Sequence, residues 1–110
     1  MRDDHERLQD ILEAIAQIER YTSQGRENFY QNELIQIWTM HHLQIIGEAS
    51  NSLSKTLLAQ YPTVPWTAII EFRNILAHEY FRINLDIVWR IVERDLPNLK
   101  SQIEAIMQEL

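Results

Sequence analysis

Apolar residues recur at three- and four-residue steps along most of the chain, and this spacing divides it into helices. Leu8, Ile11, Leu12, Ile15 and Ile18 form one stripe of an amphipathic helix that Asp3 or Asp4 can cap and that Gly25 stops. After a short polar connection from Ser23 to Asn28, the residues Leu34, Ile37, Trp38, Ile45, Ala49, Leu53 and Leu57 keep helical spacing over about thirty residues, which predicts one long second helix. Gly47 inside it costs on the order of 1 kcal/mol relative to Ala. Either a neighbouring helix approaches closely there or the position simply tolerates glycine. Tyr61-Pro-Thr-Val-Pro-Trp66 interrupts helical structure, because a residue that precedes proline is pushed out of the helical region. Pro65 suits the first turn of a third helix, with Ile69, Phe72 and Leu76 as its apolar stripe. Asn84 or Asp86 caps a last helix whose positions Val88, Ile91, Val92, Leu96, Leu99, Ile103, Ile106 and Leu110 stay in phase through Pro97. That phase predicts one helix kinked at Pro97, with a break there as the alternative. Strand-like alternation and internal repeats are missing, so the expected fold is all-α: an antiparallel bundle of four to five helices.

Composition narrows this picture. A chain of 110 residues, 45% of them hydrophobic, fits a single domain over 1–110 with one modest core. Cysteine is absent, which removes disulfides, thiol nucleophiles and Cys-based metal sites. No apolar run approaches a membrane span, and Met1-Arg-Asp-Asp-His turns acidic where a signal peptide turns apolar, so a soluble cytoplasmic protein without membrane contact is expected. The net charge of −6 argues against a general nucleic-acid coat. The acid is uneven, however: residues 1–65 carry five Lys or Arg against nine Asp or Glu, and residues 66–100 carry five against five. The locally neutral stretch leaves room for a small phosphodiester site.

Polar chemistry concentrates in Glu71 to Phe81, E-F-R-N-I-L-A-H-E-Y-F. Arg73 offers a permanent cation with forked donors suited to phosphate, and position 78 carries histidine, the side-chain type suited to moving protons in acid–base catalysis. At about 100° per residue Arg73 and Tyr80 lie close to the apolar stripe, whereas His78 lies roughly 140° away from Arg73, stacked on Asn74 at i and i+4. An unbroken helix does not aim both at one phosphate. Either the helix ends or bends near Ala77 and His78, or two copies of the chain complete a shared site. Other constellations are weaker. His41 and His42 diverge on their helix and have no ligand four residues away, so packing or surface roles are expected rather than a metal site. Trp38, Trp66 and Trp89 read as core before base-stacking platforms, and Asp86 with Arg90 as a surface pair.

Phe72-Arg-Asn-Ile-Leu-Ala-His-Glu-Tyr80, preceded by Ile45-Ile-Gly-Glu-Ala49 and Tyr61-Pro-Thr-Val-Pro-Trp66, resembles the HepT-like branch of the HEPN superfamily. The resemblance implies a homodimeric, metal-independent ribonuclease, the toxin of a type VII toxin–antitoxin system, with Arg73 and His78 as catalytic residues, Asn74 in support, and no cofactor. It further implies an MntA-type nucleotidyltransferase antitoxin that transfers AMP to Tyr80. Glu48, in the matched second segment, is a possible orienter of the site or an ordinary surface carboxylate. The rival readings are a non-catalytic helical module that binds a nucleotide or the nucleotidyltransferase, and a degenerate, purely structural dimer.

Overall fold

A computed structural model of the chain describes residues 3–79 and 82–110. They form the helices α1 (Asp4–Thr22), α2 (Arg26–Gln31), α3 (Glu33–Asn51), α4 (Lys55–Gln60), α5 (Trp66–Glu79) and α6 (Leu85–Arg90), a π-helical turn (Ile91–Asp95), and α7 (Leu96–Glu109). There is no strand among the described residues, and the bundle is all-α as the apolar periodicity predicts. The first stripe is buried as expected, with Leu8, Ile11, Ile15 and Ile18 all at 0% exposure. Asp3 caps α1 by accepting from the Glu6 amide at 2.9 Å, and the chain turns out of α1 at Gly25, whose φ of 106° suits a residue without a Cβ.

Three expectations need correction. The connection after α1 is shorter than Ser23 to Asn28, because α2 (Arg26–Gln31) takes up its second half. The second helix is not about thirty residues long: α3 stops at Asn51, and the remainder is the separate α4. Six-residue helices such as α2 and α4 are too short to register as a period. The break before α4 has a chemical cause in its serines. The Ser54 hydroxyl accepts from the Leu57 amide at 3.2 Å and donates to Asp4 at 2.6 Å, which caps α4 and ties it to the start of α1. The third correction concerns the buried face of α3. Leu34 and Ile37 are 77% and 40% exposed, whereas Ile35, Met40, Leu43 and Ile46 are buried.

That face is wider than an apolar stripe because α3 packs against both α1 and α5. Thr39, His42 and Ser50 lie within it, each satisfied by the carbonyl four residues earlier: Thr39 Oγ1 on Ile35 at 2.7 Å, Ser50 Oγ on Ile46 at 2.8 Å, and His42 Nδ1 on Trp38 at 2.8 Å. Trp66 is buried in the core and Trp89 packs partly buried against it, whereas Trp38 is half-buried outside the core cluster. Trp38 Nε1 donates to the Gln17 carbonyl at 2.7 Å, Trp66 Nε1 to the Tyr61 carbonyl at 3.0 Å, and Trp89 lies against Phe29 with ring centroids 5.3 Å apart. Pro65 stands immediately before α5, its carbonyl accepting from the Ile69 amide at 3.1 Å.

Asn84 caps α6, accepting from the Asp86 amide at 2.8 Å, as the sequence predicts. Asp86 is not paired with Arg90 as expected. It accepts from the Tyr30 hydroxyl, and this hydrogen bond raises the tyrosine pKa above its ordinary value. From Leu85 the chain stays helical through Pro97, and the accommodation precedes the proline. The Leu96 amide donates to the Ile91 carbonyl, five residues back, so the widened turn at 91–95 opens the ladder where the proline ring would crowd it. The kink expected at Pro97 is in this form a π-helical turn, and Leu96, Leu99, Ile103 and Ile106 beyond it are buried.

The cap of α3 can be checked directly. Asn32 accepts from both the Leu34 and Ile35 amides, at 3.1 and 3.4 Å. Asn32→Ala is expected to lower stability by about 1 kcal/mol in denaturant titration. An unchanged midpoint would show that another group replaces the cap.

Candidate active site

The site is built where α5 crosses α3. Leu76 buries the inner face of α5 at 1% exposure, and Ile69 and Phe72 pack partly buried beside it. One helical step beyond Phe72, Arg73 turns toward α3 and meets Gly47. A Cβ built on Gly47 would stand 2.2 Å from Arg73 Cβ and 2.7 Å from its Cγ, so the arginine stem occupies the space that a side chain at 47 would take. Of the two readings of Gly47, close approach is the one that holds.

The stem fixes where the head group goes. Arg73 Nη1 donates to Asn74 Oδ1 at 3.0 Å, and Nη2 lies 3.8 Å from Glu48 Oε1 on α3. Arg73 Nε is buried without a hydrogen-bond partner among the described residues. The side chains of Arg73 and Glu48 keep 33% and 51% of their surface, so this ion pair is screened by solvent and contributes little to stability. Its geometry matters more: a guanidinium with an inward stem and an outward fork is available to an anion from solvent.

His78 sits in the last turn of α5, exposed on the same outward strip as Asn74. The helix includes both Ala77 and His78 and its last described residue is Glu79, so His78 lies one residue from the end of the described helix. Arg73 and His78 thus keep the roughly 140° separation of an α-helix, and no hydrogen bond joins them. Tyr80 lies outside the described residues. Of the expected group, the fold brings Arg73, Asn74 and Glu48 together and leaves His78 one face away. Glu48 is the member for which residue type gives the weakest signal; only its place beside Gly47 marks it.

Elsewhere, an apolar groove of about 480 Å³ runs between α5 and α7 over Leu43 and Ile46, with Phe72 on its wall, but neither Arg73 nor His78 lines it. No cluster of three His, Asp or Glu among the described residues is placed to hold a metal ion. His41 is exposed, and His42 is held by Trp38. No described helix is long and apolar enough to cross a membrane.

Comparison with known proteins matches residues 11–106 to the family model described as "Ribonuclease HepT-like". The chain belongs to the HepT-like ribonuclease family. It is 36% identical over 100 residues to a Methanocaldococcus jannaschii protein named "Putative RNase", covering 90% of this chain and 92% of that one. It is 34% identical over 100 residues to "Probable ribonuclease HepT" of Thermococcus cleftensis, covering 90% and 91%. A second M. jannaschii protein, "Gamma-glutamylcyclotransferase and putative RNase", is 38% identical over 104 residues; these are 94% of this chain but only 47% of that longer protein, so the chain spans about half of its length. No solved structure matches the chain. The HepT-like match takes in Gly47, Glu48, Arg73, Asn74 and His78 together, since all lie within 11–106.

Proposed function

We propose that the chain is a metal-independent endoribonuclease in which Arg73 and His78 carry the reaction. The observation that supports it most is the presentation of Arg73: a stem locked between two helices and a guanidinium turned outward with only a loose ion pair to displace. In a HepT-like chain, an RNA phosphate takes the place of Glu48 on this fork. The substrate's 2′-hydroxyl attacks the adjacent phosphorus, the 5′-oxygen leaves, and a cyclic phosphate remains on the upstream fragment. Arg73 stabilises the charge that develops on the non-bridging oxygens, and His78 moves the proton that the hydroxyl loses or the leaving oxygen gains. Asn74 holds the guanidinium plane.

The same reading makes the active species a cytoplasmic homodimer. An unbroken α5 holds Arg73 and His78 on different faces, and a second copy supplies the missing group more economically than a distortion of the helix. Purified protein is expected to cut single-stranded RNA in the presence of EDTA and leave cyclic phosphate ends. Cleavage abolished by EDTA and restored by a divalent cation would overturn the mechanism, and intact RNA bound without cleavage would favour the non-catalytic module.

Regulation is proposed at Tyr80. In a type VII toxin–antitoxin pair, an MntA-type nucleotidyltransferase adds AMP to its hydroxyl, and the adduct sets bulk and negative charge two residues from His78, where an RNA backbone enters. Incubation with such an enzyme and Mg-ATP is expected to add the mass of AMP at Tyr80 and silence cleavage, with Tyr80→Phe escaping both. AMP found only on another residue, or a Tyr80→Phe protein neutralised in full, would replace this scheme with inhibition by binding.

A further inference from the structure

The contact between α5 and α3 is closer at Arg73 than ordinary side-chain packing allows. The built Cβ at position 47 stands 2.2 Å from Arg73 Cβ, 2.7 Å from Cγ and 3.4 Å from Cα. The first two atoms belong to a flexible side chain only in name. Cβ is fixed by the α5 backbone, and Cγ can leave only by rotating the whole guanidinium away from Glu48 and Asn74. A side chain at 47 therefore either pushes α5 off α3 or redirects Arg73. Helix propensity alone gives no reason for glycine here, since Gly is poor in the middle of a helix and α3 runs four residues past it to Asn51.

We propose that Gly47 is a positioning residue for Arg73. It is the seat on α3 that sets the height and direction of the guanidinium, with Glu48 beside it steadying the fork until substrate arrives. Arg73 Nε follows from the same seating. It is carried under the crossing and stays buried without a partner among the described residues, so the plane of the guanidinium is set by packing at one end and by Asn74 and Glu48 at the other. Packing of this kind defines orientation more narrowly than an exposed ion pair does. The inference rests on Arg73 being the charge-stabilising group of a ribonuclease, but its structural part can be measured without RNA.

The test is Gly47→Ala in the full chain, with three readouts. The Nε–H cross-peak of Arg73 in an NMR spectrum, buried in the parent, is expected to shift and to exchange with solvent faster. The kcat for RNA cleavage is expected to fall about 10²-fold with KM little changed, as for a catalytic group displaced by about 1 Å. The stability loss is expected to vanish when Arg73→Gly removes the opposing Cβ and Cγ, so that Gly47→Ala destabilises the parent but not the Arg73→Gly protein. This comparison of backgrounds still decides the matter if Gly47→Ala alone does not fold, because the double variant then recovers. Ile103→Val, at the 0%-exposed Ile103 of α7, serves as the control: it lowers stability while leaving the Arg73 signal and kcat unchanged. Equal cost of Gly47→Ala in both backgrounds, or an unmoved Nε–H signal, overturns the seat. A moved signal with parental kcat overturns the positioning role while leaving the ribonuclease reading intact. A parent that cuts no RNA, with the signal and the stability comparison as expected, overturns the ribonuclease reading and leaves the seat.

Discussion

Arg73→Ala and His78→Ala proteins are each expected to lose RNA cleavage by about 10²- to 10⁴-fold while remaining helical, because each removes a group that acts only as charge and protons shift in the transition state. Neither change opens a cavity at the centre of the core: His78 is exposed, and the Arg73 side chain keeps 33% of its surface. Mixing the two inactive proteins gives the sharper result. Consider a symmetric dimer in which each site takes its arginine from one protomer and its histidine from the other. A mixed dimer then has one site lacking both groups and one site complete. Random exchange makes half of the dimers mixed, so about a quarter of the parental sites should return. No recovery, with exchange of subunits demonstrated, would mean that Arg73 and His78 of one chain act together, and α5 would then have to unwind before Glu79 when RNA binds. Parental cleavage by His78→Ala would remove the histidine from the mechanism altogether.

Phe29→Ala is expected to be among the most damaging single truncations in the core. Phe29 is 0% exposed although it sits on the six-residue α2, and its ring meets Tyr30 edge-on at 5.4 Å and Trp89 at 5.3 Å. A helix this short has little stability of its own, so its place depends heavily on Phe29, its one buried side chain. Truncation to Ala should cost about 3–5 kcal/mol, a large share of the roughly 5–15 kcal/mol available to a domain of this size. The melting temperature should fall by the order of 15 °C. Leu34→Ala provides the contrast, since Leu34 is apolar, in the first turn of α3, and 77% exposed; its effect should stay within about 0.5 kcal/mol. A Phe29→Ala protein that loses less than about 1 kcal/mol would show that α2 is held by its hydrogen bonds. Examples are those from Gln36 Nε2 to the Phe29 and Tyr30 carbonyls at 3.0 and 3.2 Å.

The contrast between Phe29 and Leu34 also marks how far sequence patterns reach. Long amphipathic segments announce themselves, because every turn repeats the same burial choice; hence the stripe of α1 and the run from Val88 to Ile106 are legible residue by residue. Short helices repeat nothing, and α2 and α4 are hidden inside connections. The apolar pattern misplaces the buried face of α3 for another reason. A helix with neighbours on two sides buries polar residues whose hydroxyls turn back to their own carbonyls, and Thr39 and Ser50 do not look apolar in a sequence.

The order of residues along the chain determined the helical class, the caps at Asp3 and Asn84, the turn at Gly25 that follows α1, and the grouping of Arg73, Asn74 and His78 within six residues, all of which depend on local chemistry or a local period. It also determined the family, since residues 11–106, which contain the motif segments, match the HepT-like family model. Only the tertiary structure decided that Gly47 lies under Arg73, that Glu48 faces its guanidinium, and that His78 belongs to the last turn of α5. The first two are contacts between residues about 25 positions apart, set by the distance and rotation of two packed helices, which no periodicity within either helix specifies. The third is the extent of a helix end, which local sequence specifies only to within a residue or two.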